Sequence, residues 1–426
     1  MNRLARLFSL AALLITSLVV LTFLAFNSRN FSYVVSDGKV TITDFPDTYF
    51  GALTIPPTLD GYPVTSIGNR AFYSCSFLTS VEIPASVTEI GKEAFFDCSS
   101  LTSVEIPASV TKIGEGAFAA CSALVITVSS GNASYASVAG ILFNKAFTKL
   151  ISAPSVKGDY SIPASVTEIG DRAFSYCTSL TSVKIPEGVT EIGSSAFSSC
   201  RSLTSVVIPN SVTEIGDEAF YGCSALVITV SSGNTSYASV EGVLFNKAFT
   251  TLVSAPSVKG DYSIPASVTS ICKGAFYGCR SLTSVVIPAS VTEIGDRAFA
   301  HCRSLRSVVI SEGVTEIGSS AFSGCRSLTS VVIPNSVTEI GDWTFANCSN
   351  LTSVEIPKGV TEIGERAFAY CTSLTSVVIP EGVTKIGNLA FSGCRSLRSV
   401  EIPKSVTKIG TDAFEGCSDR LQIHRR

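Results

Sequence analysis

Thirteen of the fourteen cysteines fall on one beat. Cys75, Cys98 and Cys121 are 23 residues apart; so are Cys177, Cys200 and Cys223, and so are Cys279, Cys302, Cys325, Cys348, Cys371, Cys394 and Cys417. Two chemistries use cysteine in number, metal ligation and disulfide bonding. A structural zinc site needs close pairs such as C-x2-C. Here Cys272 and Cys279 are the nearest two, seven positions apart. An odd-numbered row cannot pair completely. The row therefore reads as a buried stack of small apolar thiols between ladders of Phe and Leu. Outside a cell such thiols need protection by burial or an anoxic habitat. Cys272 is out of phase and stands where the sister copy of its segment has Gly170.

A second row is acidic: Glu168, Glu191 and Glu214, then Glu293, Glu316, Glu339 and Glu362. Stacked like charges repel, so the row must be solvated, bridged by a cation such as calcium, or offset. An arginine row, Arg280, Arg303 and Arg326, is the expected offset. Catalytic chemistry finds little support. Two histidines occur, His301 and His424, and neither belongs to a matching Ser, Cys and Asp constellation. The glycines are periodic and form no phosphate-cradling loop. Asn132, Asn234, Asn347 and Asn350 begin N-x-S/T sequons. The expectation is no catalytic residue, no bound metal and no cofactor.

The elements that position these rows follow from the period. In Leu101 to Ile106, Val104 and Ile106 alternate with polar residues, the mark of a half-buried strand. Pro107 ends the strand because it has no N–H to donate. Val110 and Ile113 point inward from the return path, Gly114 is expected at positive φ in a turn, and Ala117 and Phe118 fill the far side. One such unit buries almost nothing, whereas stacked units bury a continuous core. Each step is expected to be roughly 4.8 Å. The fold class is thus a repeat solenoid, mainly β: a leucine-rich-repeat, right-handed coil with parallel strands and a short N-terminal membrane-targeting helix. The two gaps in the cysteine beat span 56 residues, one period plus a 33-residue insertion. Both insertions contain Leu-Phe-Asn-Lys-Ala-Phe-Thr, at Leu142 to Thr148 and Leu244 to Thr250, which reads as a β-hairpin bulging from the solenoid.

The chain organises as residues 1–30, a signal-anchor or signal peptide; 31–66, an N-terminal cap; 67–421, the solenoid, with hairpin inserts near 122–162 and 224–264; and 422–426, a tail. Arg3 and Arg6 precede the charge-free run Leu7 to Phe26, long enough to span a bilayer with everything after it outside. Both cleavage and retention as an anchor fit the run. Hydrophobic residues make up 46% and the formal net charge is −3, which gives a core but no long-range pull on nucleic acid or acidic lipid.

The phrase IPxSVTxIGxxAFxxCxSLTSVxIP resembles the BspA-like, or Treponema-type, leucine-rich repeats. Tyr33 to Thr43 and Asp60 to Gly68 resemble that family's N-terminal cap, and the GVLFNK insert a variant unit. The resemblance covers roughly residues 31 to 420. It implies a curved solenoid on a cell surface or secreted, binding proteins of a host matrix or of other cells, with no functional residues to carry over. No sorting sequence follows Cys417, so attachment is expected through the N-terminal segment. The outward strand positions are the candidate partner surface. They carry Glu82, Glu105 and Lys184 early and Val207, Val286, Val309, Val332 and Val378 later. Val286, Val309 and Val332 are expected on successive coils as an apolar stripe. Trp343, the only tryptophan, is a further candidate anchor. The leading expectation is an adhesion or binding module; the alternative is a structural surface spacer without a specific ligand.

Overall fold

A computed structural model describes residues 30–426; the expected helix over Leu7 to Phe26 lies outside them. Every regular element among the described residues is a strand. The chain divides into two compact units. The first runs to Val156 and adds Ser165–Cys177; the second comprises Lys157–Ala164 and Thr178–Arg426.

Each unit is built from two parallel ladders. In the first unit the strands Gly51–Thr54, Leu78–Glu82, Ser103–Ile106 and Val125–Val128 lie side by side. A second ladder runs along the return path through Tyr62–Ile67, Glu89–Ile90 and Lys112–Ile113. The second unit repeats the plan. Leu282–Ile287, Ser307–Ile310, Ser330–Val332 and Ser353–Glu355 form one ladder. Glu339–Ile340, Glu362–Ile363, Lys385–Ile386 and Lys408–Ile409 are part of the return ladder. Between ladders, Pro-x-x-Val makes a tight turn in which the Val87 amide donates to Pro84 O (3.0 Å).

The phenylalanines form the spine. Phe72, Phe95, Phe118, Phe174, Phe197 and Phe220 are buried as the period requires. Phe276, Phe299, Phe322 and Phe345 stack nearly parallel, with centroid separations of 4.6, 5.2 and 5.5 Å.

Three expectations are corrected. Gly114 is not at positive φ. A Cβ there would stand 2.4 Å from Lys92 N and 2.6 Å from Gly91 C, so glycine is required by the close approach of the neighbouring coil. Positive φ falls two residues later, at Glu93, Gly116 and Arg172, and again just before the cysteine. Cys272 is tolerated because the approach is wider in its segment. Its sister Gly170 has looser surroundings, with the nearest atom 3.0 Å from a Cβ. Cys272 itself adopts no left-handed backbone.

The insertions do not merely bulge; each closes an extra coil. Tyr135–Val138, Ile141–Asn144 and Lys149–Ser152 form an antiparallel meander, whose last strand then enters the return ladder beside Glu168–Ile169. Ala153 donates to Ala173 O as Phe95 donates to Ala117 O, so it stands in the phenylalanine position. Leu142, Phe143 and Leu150 are core residues. Asn132 is buried at the start of the insert, donating to Pro107 O (2.7 Å) and Val110 O (3.0 Å). Finally, the expected tail is a strand, Gln422–Arg425, paired parallel with Ser399–Ile402.

Phe299→Ala is expected to destabilise the protein by about 3–5 kcal/mol, since the ring is fully buried with stacked neighbours on both sides. Equilibrium denaturation measures this; a loss below about 1 kcal/mol would mean that the spine is not a packed core.

Candidate functional site

The backbone period decides which side chains reach solvent. On the strand Leu282–Ile287, Val285 and Ile287 are buried while Val286 points out, and the same alternation holds on the next two strands. Val286 faces Val309, and Val309 faces Val332, in strict register. The three are 42%, 55% and 65% exposed. They form an apolar column about 10 Å long at the usual strand spacing. Ser263 borders it at one end and Glu355 at the other. Val378 is also exposed but belongs to a different strand group, facing Glu401, and Val207 faces Thr229. The structure thus brings three of the candidates together and separates Val378 from them. Trp343 lies on a turn row, not on the strands, with the Arg366 guanidinium 4.6 Å over its ring.

The glutamate row lies on the return ladder, where Glu293 faces Glu316 and Glu339 faces Glu362. Where the ladder's carboxylates are ion-paired, at Glu89, Glu168 and Glu362, the partner is a lysine of the same ladder rather than the arginine row. Lys112 pairs with Glu89 (2.6 Å), and Lys149 and Lys385 pair with Glu168 and Glu362. An acidic cleft of about 490 Å³ remains, lined by Asp296, Glu316, Glu339 and Asp342. Two of its carboxylates are already engaged, Asp296 by the Ser319 amide (2.8 Å) and Asp342 by the Glu365 amide (2.6 Å). Among the described residues no cluster of three His, Cys, Asp or Glu side chains is arranged to hold a metal ion.

One ion cluster is buried. Glu93, almost fully enclosed, receives both Arg70 (2.5 Å) and Arg172. Arg172 crosses the intervening coil at Gly116, where a Cβ would meet its Cδ at 2.8 Å. The second unit places Arg297 3.8 Å from Glu218 at the same sequence separation, with Gly274 on the intervening coil. These two ties span the insertions and are invisible to local pattern.

His301 is half-buried, edge-on to Tyr277 at 5.3 Å. Burial first, then the Arg303 and Arg326 charges, hold its pKa below the ordinary value. Asn132 and Asn234 are enclosed by their backbone contacts, so these sequons are closed in the folded protein, whereas Asn347 and Asn350 are exposed.

The thiol row is buried as expected except at Cys417, which is partly exposed, and it has a bonding role. Cys98 Sγ donates to Phe72 O (3.1 Å), and Cys325 Sγ to Phe299 O (3.2 Å), in each case across one coil. Where the extra coil intervenes, Ala153 O and Ala255 O accept from Cys177 and Cys279 instead. Burial raises the thiol pKa to about 12 at Cys279, Cys325 and Cys371, and to about 11 at the half-buried Cys272.

A profile of the BspA type leucine rich repeat region matches the chain in six copies, over residues 65–146, 141–257, 246–371 and 292–421. No curated protein sequence matches it. Among solved structures, a leucine rich cell surface protein from Faecalibacterium prausnitzii is 32% identical, with 93% of each chain covered and a TM-score of 0.43. A leucine-rich repeat protein from Eubacterium ventriosum is 27% identical over 91% of this chain and 93% of its own, with a TM-score of 0.55, and supports the same fold. One from Bacteroides ovatus is 28% identical over 93% and 98%, with a TM-score of 0.40.

The thiols give a pH dependence of defined sign. A group whose folded pKa is raised binds its proton more tightly in the folded state. Its contribution is therefore intact below the ordinary thiol pKa of 9.0 and is lost as pH rises through the window up to about 12. Stability is expected to fall steeply above about pH 9, and Cys325→Ala is expected to flatten part of that fall. Denaturant titrations at pH 8 to 11 check both; a wild-type stability unchanged over that range would contradict the buried-thiol assignment.

Proposed function

This chain belongs to the BspA-type leucine-rich-repeat family, and from that premise we propose that it is a cell-surface scaffold that binds protein partners. The relative described as a cell surface protein supports the location, and the charge-free run Leu7 to Phe26 supports export and tethering. The partners are proteins of an extracellular matrix or of other cells. A repeat scaffold acts by presenting a rigid array of side chains, so we assign recognition to outward positions and no catalytic step to any residue.

The observation that carries the reading is the in-register column of Val286, Val309 and Val332. An exposed apolar row on adjacent strands is held rigid by the ladder beneath it. A partner that covers it gains hydrophobic free energy with little ordering of the scaffold itself. The polar neighbours Ser284, Ser307 and Ser330, also in register, supply hydroxyls along its side. Trp343 and Val378 lie apart from the column and take a secondary place as anchors.

The test is the triple change Val286→Thr, Val309→Thr, Val332→Thr. Thr229 faces Val207 on the neighbouring ladder, so threonine is compatible with an outward position of this type. Binding of the purified protein to immobilised matrix proteins and to cells is measured against wild type. Loss of about 2–3 kcal/mol, or roughly 30- to 150-fold in Kd, is expected. Unchanged saturable binding by the folded variant would move the site off the column. A wild-type protein with no saturable partner would instead favour a structural spacer.

A further inference from the structure

The arginine row does not serve the glutamates, and its own geometry suggests another use. Ser284, Ser307 and Ser330 are in register on successive strands. Arg280, Arg303 and Arg326 each precede those serines by four residues, so they form a column on three successive coils. Gly260 donates its amide to Ser281 O (2.8 Å), which brings Lys259 alongside as a fourth member. Arg306 adds a charge on the middle coil, its amide donating to Thr283 O (2.8 Å). All five side chains are exposed. Among the described residues none of the five is ion-paired, although nine other pairs occur. Asp261, the acidic residue on the flanking strand, is occupied by the hydroxyls of Thr283 (2.8 Å) and Ser284 (2.6 Å). The lowered pKa of His301 reports the same uncompensated positive field, after the effect of burial.

We propose that this column is a binding surface for a linear sulfated polysaccharide. The fit has three parts. Guanidinium forks repeat at the ladder step of about 4.8 Å along one line, so a polymer with anions at regular spacing engages them in any register. A parallel column of serines, Ser281, Ser304 and Ser327, runs directly beside the arginines and offers hydroxyls to sugar hydroxyls. The nearby rings are already engaged: Tyr277 stacks on Tyr221 at 3.7 Å and meets His301 edge-on. That leaves no open stacking platform of the kind single-stranded nucleic acid uses. The chain neighbours of the three arginines are buried thiols on one side, Cys279, Cys302 and Cys325, and serines on the other, so neither offers an exposed apolar contact to the side chains of an acidic peptide. The column lies at the start of the same strands whose middles carry Val286, Val309 and Val332, yet it is a separate set of residues. The net charge of −3 hides it, because the carboxylates gather on the return ladder while these cations gather at the turn before the first ladder.

The probe is dextran sulfate, with uncharged dextran, polyglutamate and a single-stranded oligonucleotide as comparators, against the full chain. The variant is Arg280→Ser, Arg303→Ser, Arg326→Ser. Serine is the native residue at this position in Ser224 and Ser349, so the fold tolerates it. Expected are saturable binding to dextran sulfate, none to dextran, and about tenfold weaker binding by the variant. The dependence of log Kd on log salt should become shallower by about three. The valine triple variant should bind dextran sulfate as wild type does, which separates this site from the protein-binding column. Absence of dextran sulfate binding, or full retention by the folded arginine variant, would overturn the proposal. Tighter binding to polyglutamate or to the oligonucleotide would also overturn it, in favour of an acidic protein segment or a nucleic acid.

Discussion

The strands of one coil find their hydrogen-bond partners only in the coils before and after. Thr88 donates to Thr65 O, Thr111 to Thr88 O, and Gly114 to Ile90 O, each a coil back. A β-strand with unpaired neighbours is unstable in water, so no coil stands alone. The side chains obey the same constraint. Phe stacks on Phe, Cys donates to the carbonyl of the previous coil's Phe, and each turn glycine clears the backbone of its neighbour. A residue that fails this match at one position disturbs two interfaces.

This dependence explains why much of the fold was legible in the sequence. Parallel strands at LTSVxIP, buried phenylalanines and buried thiols all follow from one repeated spacing with one hydrophobic alternation. What the spacing did not reveal has physical causes. The return ladder uses strands as short as Glu89–Ile90, and two residues carry no alternation to read. The role of Gly114 depends on Lys92 and Gly91, atoms that come close only when coils stack. The insertion reads as a hairpin because its turn is local, whereas its closure as an extra coil depends on Ala153 replacing a phenylalanine. Lys112 and Lys385 sit at positions where the repeat usually has glutamate, so the acidic spacing does not show them. The tail strand Gln422–Arg425 follows a leucine, Leu421, but lacks the Thr-Ser-Val run and the closing proline that mark the others.

The candidate surfaces were legible to a different degree. Outward positions could be named from alternation alone, and the register then showed that Val286, Val309 and Val332 are adjacent while Val378 is not. The arginine row was visible as spacing but was misassigned, since sequence order does not say which row it faces. The core leaves little freedom for function, because buried positions are fixed by stacking. The outward rows vary without cost to the ladder, and they carry apolar, acidic and basic columns along separate lines. A scaffold of this kind acquires specificity by changing one outward row while the interior repeats.

The central claim is that register with the adjacent coil, rather than any individual contact, holds the structure. The most direct measurement is excision of residues 305–327, one whole period from the leucine of one coil to the residue before the leucine of the next, compared with an excision one residue shorter. The in-register deletion is expected to give a soluble protein that unfolds cooperatively, with a modestly lower midpoint in denaturant. The shorter excision displaces every inward side chain after the junction and is expected to unfold or aggregate. Equal tolerance of both deletions, or equal failure, would contradict the account.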